Sequence, residues 1–244
     1  MASVFRVSTS FLNNLKTSFP PADPSSSSFF RNPWYIVAAV AFSASNKPEL
    51  VPRVFAHALD DLKSLSPAAK PEDEMLLARK MREALFKSGL ISGYPKAINS
   101  LRALSEIMPE DLREKELLRD PNASLAEYGR TGQTLFDSFY GDKSDSVKQL
   151  LISIYPDMEW FSTTIGYGVV YGNTSILSAL ETSYTLVAAL IAGDTPQQIA
   201  WHLDSAQRGG ATLDEVRAVR YISLEVAKLA GVQWQHDIPE VQAD

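Results

Sequence analysis

The apolar run at residues 34–42, Trp-Tyr-Ile-Val-Ala-Ala-Val-Ala-Phe, most constrains how this chain can fold. A helix that is apolar on every side is stable in water only if neighbouring elements cover all of its faces. A strand is the alternative, but the alanine content and the helical spacing of Val54, Ala58 and Leu62 farther on favour helix. The run is far shorter than the roughly 20 residues that cross a bilayer. It therefore predicts a fully buried helix and no membrane span.

Start and stop signals divide much of the remaining chain into helices. Residues 160–170 and 177–192 have helical apolar patterns, and Gly-Asp-Thr-Pro at 193–196 ends the second helix and opens the next. Thr-Leu-Asp-Glu at 212–215 has the form of a capping box and begins a last helix that ends near residue 230. We find no alternating pattern typical of a half-buried strand. These signals predict an all-α fold.

The composition of the two ends predicts the domain boundaries. Proline and serine crowd residues 20–28, which is typical of a linker. We therefore expect a flexible arm or linker at 1–28, one compact helical domain at 29–235, and a polar tail at 236–244. With 244 residues, 45% of them apolar, the chain can bury a full core.

The N-terminal composition bears on localisation. The first 22 residues contain Arg6, Lys16, many hydroxyl residues and no acidic residue, which resembles an organellar transit peptide. The last residues, Val-Gln-Ala-Asp, are not the Ser-Lys-Leu signal for peroxisomes. We expect a cytoplasmic protein with a frayed N-terminal arm, with a mitochondrial location as the alternative.

The chain contains a weak internal echo. Val-Ala-Ala-Val at 37–40 is matched by Val-Ala-Ala-Leu at 187–190. Each is followed by a turn with a proline and then by a helix with a histidine, His57 in the first case and His202 in the second. The echo predicts two pseudo-repeated helical units in one domain, with chance similarity as the alternative.

Charge and residue usage exclude several classes of function. A net charge of −6 with mixed signs along the chain argues against a nucleic-acid surface, which needs clustered Lys and Arg. The absence of cysteine removes thiolate nucleophiles, disulfides and Cys-ligated metals. The three histidines, His57, His202 and His236, have no metal-binding spacing. We therefore expect no nucleic-acid partner and no metal site.

Several stretches, in order and spacing, resemble one known family. They are residues 81–99, 132–141, 155–160, 165–171 and 187–219. The resemblance covers roughly residues 33–231 and is to the carboxymuconolactone decarboxylase and AhpD-like proteins, particularly their long fungal form. It implies an all-α AhpD-like fold with a buried helical hairpin, and assembly into oligomers, commonly trimers or hexamers.

The peroxidase branch of that family uses a Glu, a Cys-x-x-Cys pair and a His four residues after the second Cys. Counting back from His202 places Gln198 and Thr195 at the cysteine positions and Ser183 where the Glu would fall. Disulfide exchange needs two thiols, so thiol peroxidase chemistry is excluded. The decarboxylase branch uses no metal or organic cofactor, and we accordingly expect none.

Thr195, Gln198 and His202, at offsets 0, 3 and 7, are predicted to share one helical face and to be the catalytic residues. Ser183 and Tyr184 would lie on the partner helix and bind substrate. A purely structural role is the alternative for these residues. Thr195 is an adequate N-cap, and His202 has apolar neighbours typical of a packed histidine.

Three further residues are predicted to bind substrate. Tyr167 and Tyr171 precede the hairpin, and His57 occupies the echoed position. The flanks of His57 are apolar, so packing is its alternative role. Gly166 and Gly168 would either position a loop near a ligand or permit close helix packing.

Two classes of function follow. The first is a cofactor-independent lyase or isomerase that decarboxylates, isomerises or cyclises a small enolisable substrate by acid–base catalysis. The second is a non-catalytic helical oligomeric scaffold that has lost the family active site, with its hairpin filled by side chains. Gln198 and His202 remain polar, which favours the enzyme.

The apolar helices also bear on assembly. One domain can enclose only part of the apolar surface at 34–42 and 177–192, so we expect a homo-oligomer that covers the rest. A second internal unit would cover some of that surface within the chain. We therefore expect a dimer rather than a trimer or hexamer.

Overall fold

The structure is a computed structural model that describes residues 7–21, 29–65 and 70–243. Its helices are α1 (Thr9–Ser18), α2 (Trp34–Ala44), α3 (Val51–Leu65), α4 (Pro71–Ser92), α5 (Tyr94–Ile107), α6 (Leu125–Tyr140), α7 (Ser144–Ile154), α8 (Pro156–Trp160), α9 (Ala179–Ala192), α10 (Pro196–Arg208) and α11 (Leu213–Ala230). A π-helix, Phe161–Tyr171, lies between α8 and α9, and 3-10 turns cover Phe29–Arg31, Pro48–Leu50, Glu110–Leu112 and Gly141–Lys143. Within these ranges there is no strand, which confirms the all-α class.

Helix α2 is the centre of the core. Every residue of α2 is buried, because α3, α4, α9 and α11 pack around it. Helix α9 is buried from Thr182 to Ile191 for the same reason. The fully buried helix that the apolar run predicts is therefore confirmed.

The core helices are arranged reciprocally. Helices α2 and α9 pack against each other. Helix α2 also packs against the two helices that follow it, α3 and α4, and α9 packs in the same way against α10 and α11. Across the centre, α2 contacts α11 and α9 contacts α4. Each central helix ends in a turn with a left-handed residue, Asn46 at φ 58° and Asp194 at φ 55°. This arrangement agrees with the two related units that the echo predicts.

The burial of α2 removes one reason to expect an oligomer. Its faces are covered by helices of the same chain, so they leave no apolar surface for a second copy. Helices α9 and α11 of the second unit supply the cover that the sequence expectation divided between that unit and a partner chain. The expected dimer then depends on the family resemblance and stays a prediction.

The N-terminal arm differs from the flexible segment predicted for 1–28. Helix α1 begins with Ser8 as its N-cap and buries Leu12 and Leu15 in the core. Lys16 forms an ion pair with Asp61 of α3 at 2.9 Å. Residues 1–6 and 22–28 lie outside the described ranges. The described part of the arm is therefore a packed helix.

The C-terminal segment also contacts the domain. Ile238 and Val241 pack against the core, and Arg220 of α11 donates hydrogen bonds to the carbonyl oxygens of Ile238 and Pro239. His236 is exposed, as expected of a polar tail. No helix in the described chain combines the length and apolar character needed to span a membrane.

Candidate functional site

A cleft of about 360 Å³ opens between α4, α6, α9, α10 and the π-helix. Leucine, isoleucine, methionine and phenylalanine side chains form most of its wall. The polar side chains in the wall are Tyr140, Ser162, Tyr167, Tyr171, Gln198 and His202. A mostly apolar concavity with a few convergent polar groups is the usual form of a small-molecule site.

Four of the predicted site residues meet in this cleft. Gln198 and His202 lie one turn apart on α10, and Tyr167 and Tyr171 lie on the π-helix. A π-helix is rare and is frequently found at functional sites. The sequence predicts an ordinary helix here, because apolar periodicity does not distinguish the wider π turn.

Thr195 does not share the face of Gln198 and His202. Helix α10 begins at Pro196, and Thr195 precedes it with a non-helical backbone, φ −119° and ψ 76°. Its hydroxyl donates a hydrogen bond back to the carbonyl oxygen of Leu190 at 3.3 Å. Thr195 occupies the N-cap position, although its side chain makes no capping hydrogen bond. The prediction that Thr195 shares a helical face with Gln198 and His202 is therefore wrong, because Thr195 lies before the helix begins.

Ser183 and Tyr184 lie on α9 but do not line the cleft. The Ser183 hydroxyl is hydrogen-bonded to that of Ser205 on α10 at 3.1 Å, so it joins the two helices. Tyr184 contacts Phe19 edge-on at 6.4 Å and lines a different cleft that includes Glu181. The faces that these residues occupy depend on helix packing, which the spacing alone does not specify.

His57 lies in a separate groove beside α1 and α3. Its Nε2 is 3.0 Å from the Asn13 Oδ1 atom, and its ring packs edge-on against Trp34 at 5.7 Å. These contacts join α1 to the core. They match the packing role that the apolar flanks of His57 suggest.

Tyr140 is the site residue that the sequence interpretation missed. It is the last residue of α6, and its hydroxyl accepts a hydrogen bond from the Tyr167 hydroxyl at 3.1 Å. Its ring lies 6.1 Å from the His202 ring. The available signal was its position just before Gly141, within the stretch of family resemblance at 132–141.

The cleft is neutral near pH 7. Burial lowers the pKa of His202 to about 4, so its imidazole is uncharged. Burial likewise raises the pKa of Tyr140, and of Tyr167 and Tyr171 beside it, so the phenols keep their protons. The His202 Nδ1 atom is buried and has no hydrogen-bond partner among the described residues. Because Nδ1 is closed off from the cleft, a ligand there can exchange a proton or a hydrogen bond with this ring only through the other ring nitrogen, Nε2.

The buried imidazole predicts a specific acid sensitivity. The unfolded chain binds a proton at His202 below pH 6.5, whereas the folded chain does so only near pH 4, so stability falls as the pH drops through this range. We expect the loss from this residue to reach about 3 kcal/mol near pH 4. In His202→Gln this component should vanish when urea unfolding is compared at neutral and acidic pH. Equal losses in the parent and the variant would contradict it.

Two cations hold the end of the π-helix, the fully buried Lys87 and the partly buried Arg119. Arg119 donates to the carbonyl oxygens of Val169 and Val170 at 2.6 and 2.7 Å. Lys87 donates to the carbonyl oxygen of Tyr171 at 3.0 Å and to the Thr182 hydroxyl at 2.9 Å. Cations at the carbonyl end of a helix complement its dipole. They fix the segment that carries Tyr167 and Tyr171.

Glu83 of α4 balances these cations. It accepts hydrogen bonds from Arg119 at 2.6 and 3.2 Å, and one of its oxygens lies 4.0 Å from the Lys87 Nζ atom. Burial lowers the pKa of Lys87 to about 8, and Glu83 opposes that effect. The network ties α4 to the π-helix behind the cleft.

Two fungal proteins are similar to this chain over most of its length. One, from Schizosaccharomyces pombe, is named Peroxisomal protein 2 and is 33% identical over 204 residues, covering 84% of this chain and 90% of that protein. The other, from Saccharomyces cerevisiae, has the same name and is 28% identical over 260 aligned positions, covering 85% and 92% of the two chains.

These relatives overturn the expected localisation. Both are named as peroxisomal proteins, so neither the cytoplasmic expectation nor its mitochondrial alternative holds. Residues 9–18 lie within the N-terminal segment whose composition resembles a transit peptide. Those residues fold as α1, which packs Leu12 and Leu15 on the core.

No protein-family model and no solved structure matches the chain. The resemblance to the carboxymuconolactone decarboxylase and AhpD-like proteins is therefore unconfirmed, and so are the lyase and isomerase activities that it implies. The identity to the fission-yeast protein extends over most of both chains. The chain therefore belongs to the fungal Peroxisomal protein 2 family.

Proposed function

We propose that this protein is a cofactor-independent enzyme that performs acid–base chemistry on a small enolisable organic substrate, and that it works in the peroxisome, for which its relatives are named. One observation carries the proposal: the neutral imidazole of His202 lies beside the hydrogen-bonded pair Tyr140 and Tyr167 in an otherwise apolar cleft. This combination supplies a base and an oxyanion donor in one place.

His202 takes the role of base. In the tautomer that carries its proton on the buried Nδ1, the Nε2 lone pair is free at neutral pH, and it removes a proton from the carbon next to a substrate carbonyl. The electron pair of the broken C–H bond forms an enolate, whose negative charge lies on the carbonyl oxygen. An imidazole with a low pKa is a weak base in the empty cleft, but the enolate that forms beside it favours the imidazolium.

Tyr140 takes the role of oxyanion donor. Its hydroxyl accepts the hydrogen bond from Tyr167, which leaves its own proton free to donate to the enolate oxygen. The raised pKa of both phenols means that they donate hydrogen bonds and retain their protons. Return of the proton from His202 to a different carbon completes an isomerisation. A cyclisation would use the enolate carbon as the nucleophile, whereas a decarboxylation would reach an enolate by loss of CO2, with His202 then supplying a proton to the carbon.

Gln198 takes a positioning role. It precedes His202 by one turn of α10, and its amide can donate to or accept from a second polar atom of the substrate. Ser183, Thr195 and His57 have no part in this proposal, because their side chains are engaged elsewhere. The scaffold alternative predicted a hairpin filled by side chains, and the open cleft beside α9 and α10 favours the enzyme.

Deuterium exchange tests the proposal before the natural substrate is identified. The protein is incubated in deuterated water with a set of cyclic ketones and lactones, and loss of the α-proton signal is followed by NMR. We expect catalysed exchange that falls about 10²–10⁴-fold in His202→Gln. Tyr140→Phe should lose about 10²-fold, because it removes the oxyanion donor.

The control is His236→Gln, which alters an exposed histidine outside the cleft and should exchange at the parent rate. Circular dichroism should show that both cleft variants remain folded. Exchange that is as fast in folded His202→Gln as in the parent would remove His202 from the mechanism.

A further inference from the structure

The wall of the cleft contains no charged side chain among the residues described as lining it. The two cations that hold the end of the π-helix, Lys87 and Arg119, are already engaged by Glu83 and by carbonyl oxygens there. A carboxylate or phosphate placed against this wall would therefore lose bound water without gaining a counterion from the lining side chains. Burial of an unpaired charge is strongly unfavourable.

The cleft does offer neutral polar groups that are unused within the chain. The Tyr171 hydroxyl and the side chains of Ser162, Gln198 and His202 make no hydrogen bond to another described residue, and Tyr171 and His202 are at least nine-tenths buried. Buried polar groups in folded proteins are normally paired. These groups can exchange hydrogen bonds with neutral oxygen atoms of a ligand.

The size of the cleft limits the ligand further. A volume of about 360 Å³ lies at the small end of the range of about 300–1,000 Å³ for small-molecule pockets. Apolar side chains such as Leu90, Leu186 and Leu190 form much of the wall. Such a space suits a compact molecule of one or two rings.

We propose that the cleft selects uncharged, compact ring compounds bearing one or two carbonyl or hydroxyl oxygens, and that it rejects carboxylates. This inference rests on the proposed function of the same site. It narrows the chemistry, because a neutral ring ketone or lactone can be isomerised or cyclised through its enolate, whereas decarboxylation requires a free carboxylate. The favoured reaction is therefore a proton shift within a neutral ring compound.

Two probes of matched size test this inference. Acetophenone and benzoate are flat, single-ring molecules with the same number of heavy atoms, and only benzoate is charged at neutral pH. We expect NMR titration of the full chain to show acetophenone binding about tenfold or more tightly than benzoate. Gln198→Leu should weaken acetophenone binding, because it removes a neutral hydrogen-bonding group from the wall.

Leu90→Arg provides a gain-of-function control. Leu90 lines the cleft and is 39% exposed, so an arginine there can place its guanidinium at the mouth without being buried. This variant should bind benzoate more tightly than the parent does, and the preference for acetophenone should fall or reverse.

Benzoate binding as tight as acetophenone binding in the parent would overturn the inference, as would the failure of both probes to bind. These outcomes are distinct from failure of the proposed function. Selective acetophenone binding together with unchanged deuterium exchange in His202→Gln would retain the ligand class and refute the acid–base role.

Discussion

Replacement of Gly132 by alanine should destabilise the protein by about 3 kcal/mol or more. Gly132 lies where α6 crosses the π-helix, and a Cβ atom there would be 1.9 Å from the carbonyl oxygen of Thr163 and 2.7 Å from the nitrogen of Gly168. Both are backbone atoms, so the clash cannot be relieved by turning a side chain. The π-helix would have to move, and the cleft wall with it.

Gly129 provides a matched control on the same helix. A Cβ atom at Gly129 would meet only the Thr164 hydroxyl, at 3.4 Å, which is close to ordinary contact. Gly129→Ala should therefore be neutral or should stabilise α6 by about 0.5–1 kcal/mol, since alanine favours the helix. Urea unfolding of both variants measures the difference. Similar changes in the two variants would show that the close helix approach at Gly132 is not required.

Removal of the Glu83 carboxylate should cost about 3–5 kcal/mol, because the fully buried Lys87 and the partly buried Arg119 would lose the carboxylate that pairs with both. The Lys87 side chain is fully buried and that of Glu83 is 4% exposed, so water cannot replace the lost charge. Glu83→Ala removes both the charge and its hydrogen bonds. Glu83→Gln keeps the shape of the side chain and should lose most of the same free energy.

The exposed pair Arg102 and Glu106 is the control for this prediction. Their side chains are 78% and 63% exposed, and the ion pair is 3.2 Å long. Glu106→Ala should change the free energy of unfolding by about 0.5 kcal/mol or less. A comparably small change in Glu83→Ala would mean that the buried network does not stabilise the fold. Loss of acetophenone binding in Glu83→Gln, measured while the chain is still folded, would show that the network also holds the cleft wall.

The helices follow closely from local patterns in the sequence. The apolar run at 34–42 lies within α2, and the last three predicted helices, from 177, 197 and 212 onward, correspond to α9, α10 and α11. Caps, prolines and apolar periodicity act over one or two turns, so they can be identified without knowledge of the fold. The same local patterns do not distinguish a π-helix from an α-helix, so the π-helix at 161–171 could not be predicted from them.

The sequence by itself determined the all-α class, the burial of α2 and the exclusion of thiol chemistry. Tertiary structure decided which polar residues share a cleft: it joined Tyr140 to His202, moved Thr195 off the helix and turned Ser183 towards Ser205. It also made His202 neutral, because burial by distant elements lowers its pKa. The physical reason is that helix formation depends on neighbours in sequence, whereas a site depends on how helices far apart in the chain pack together.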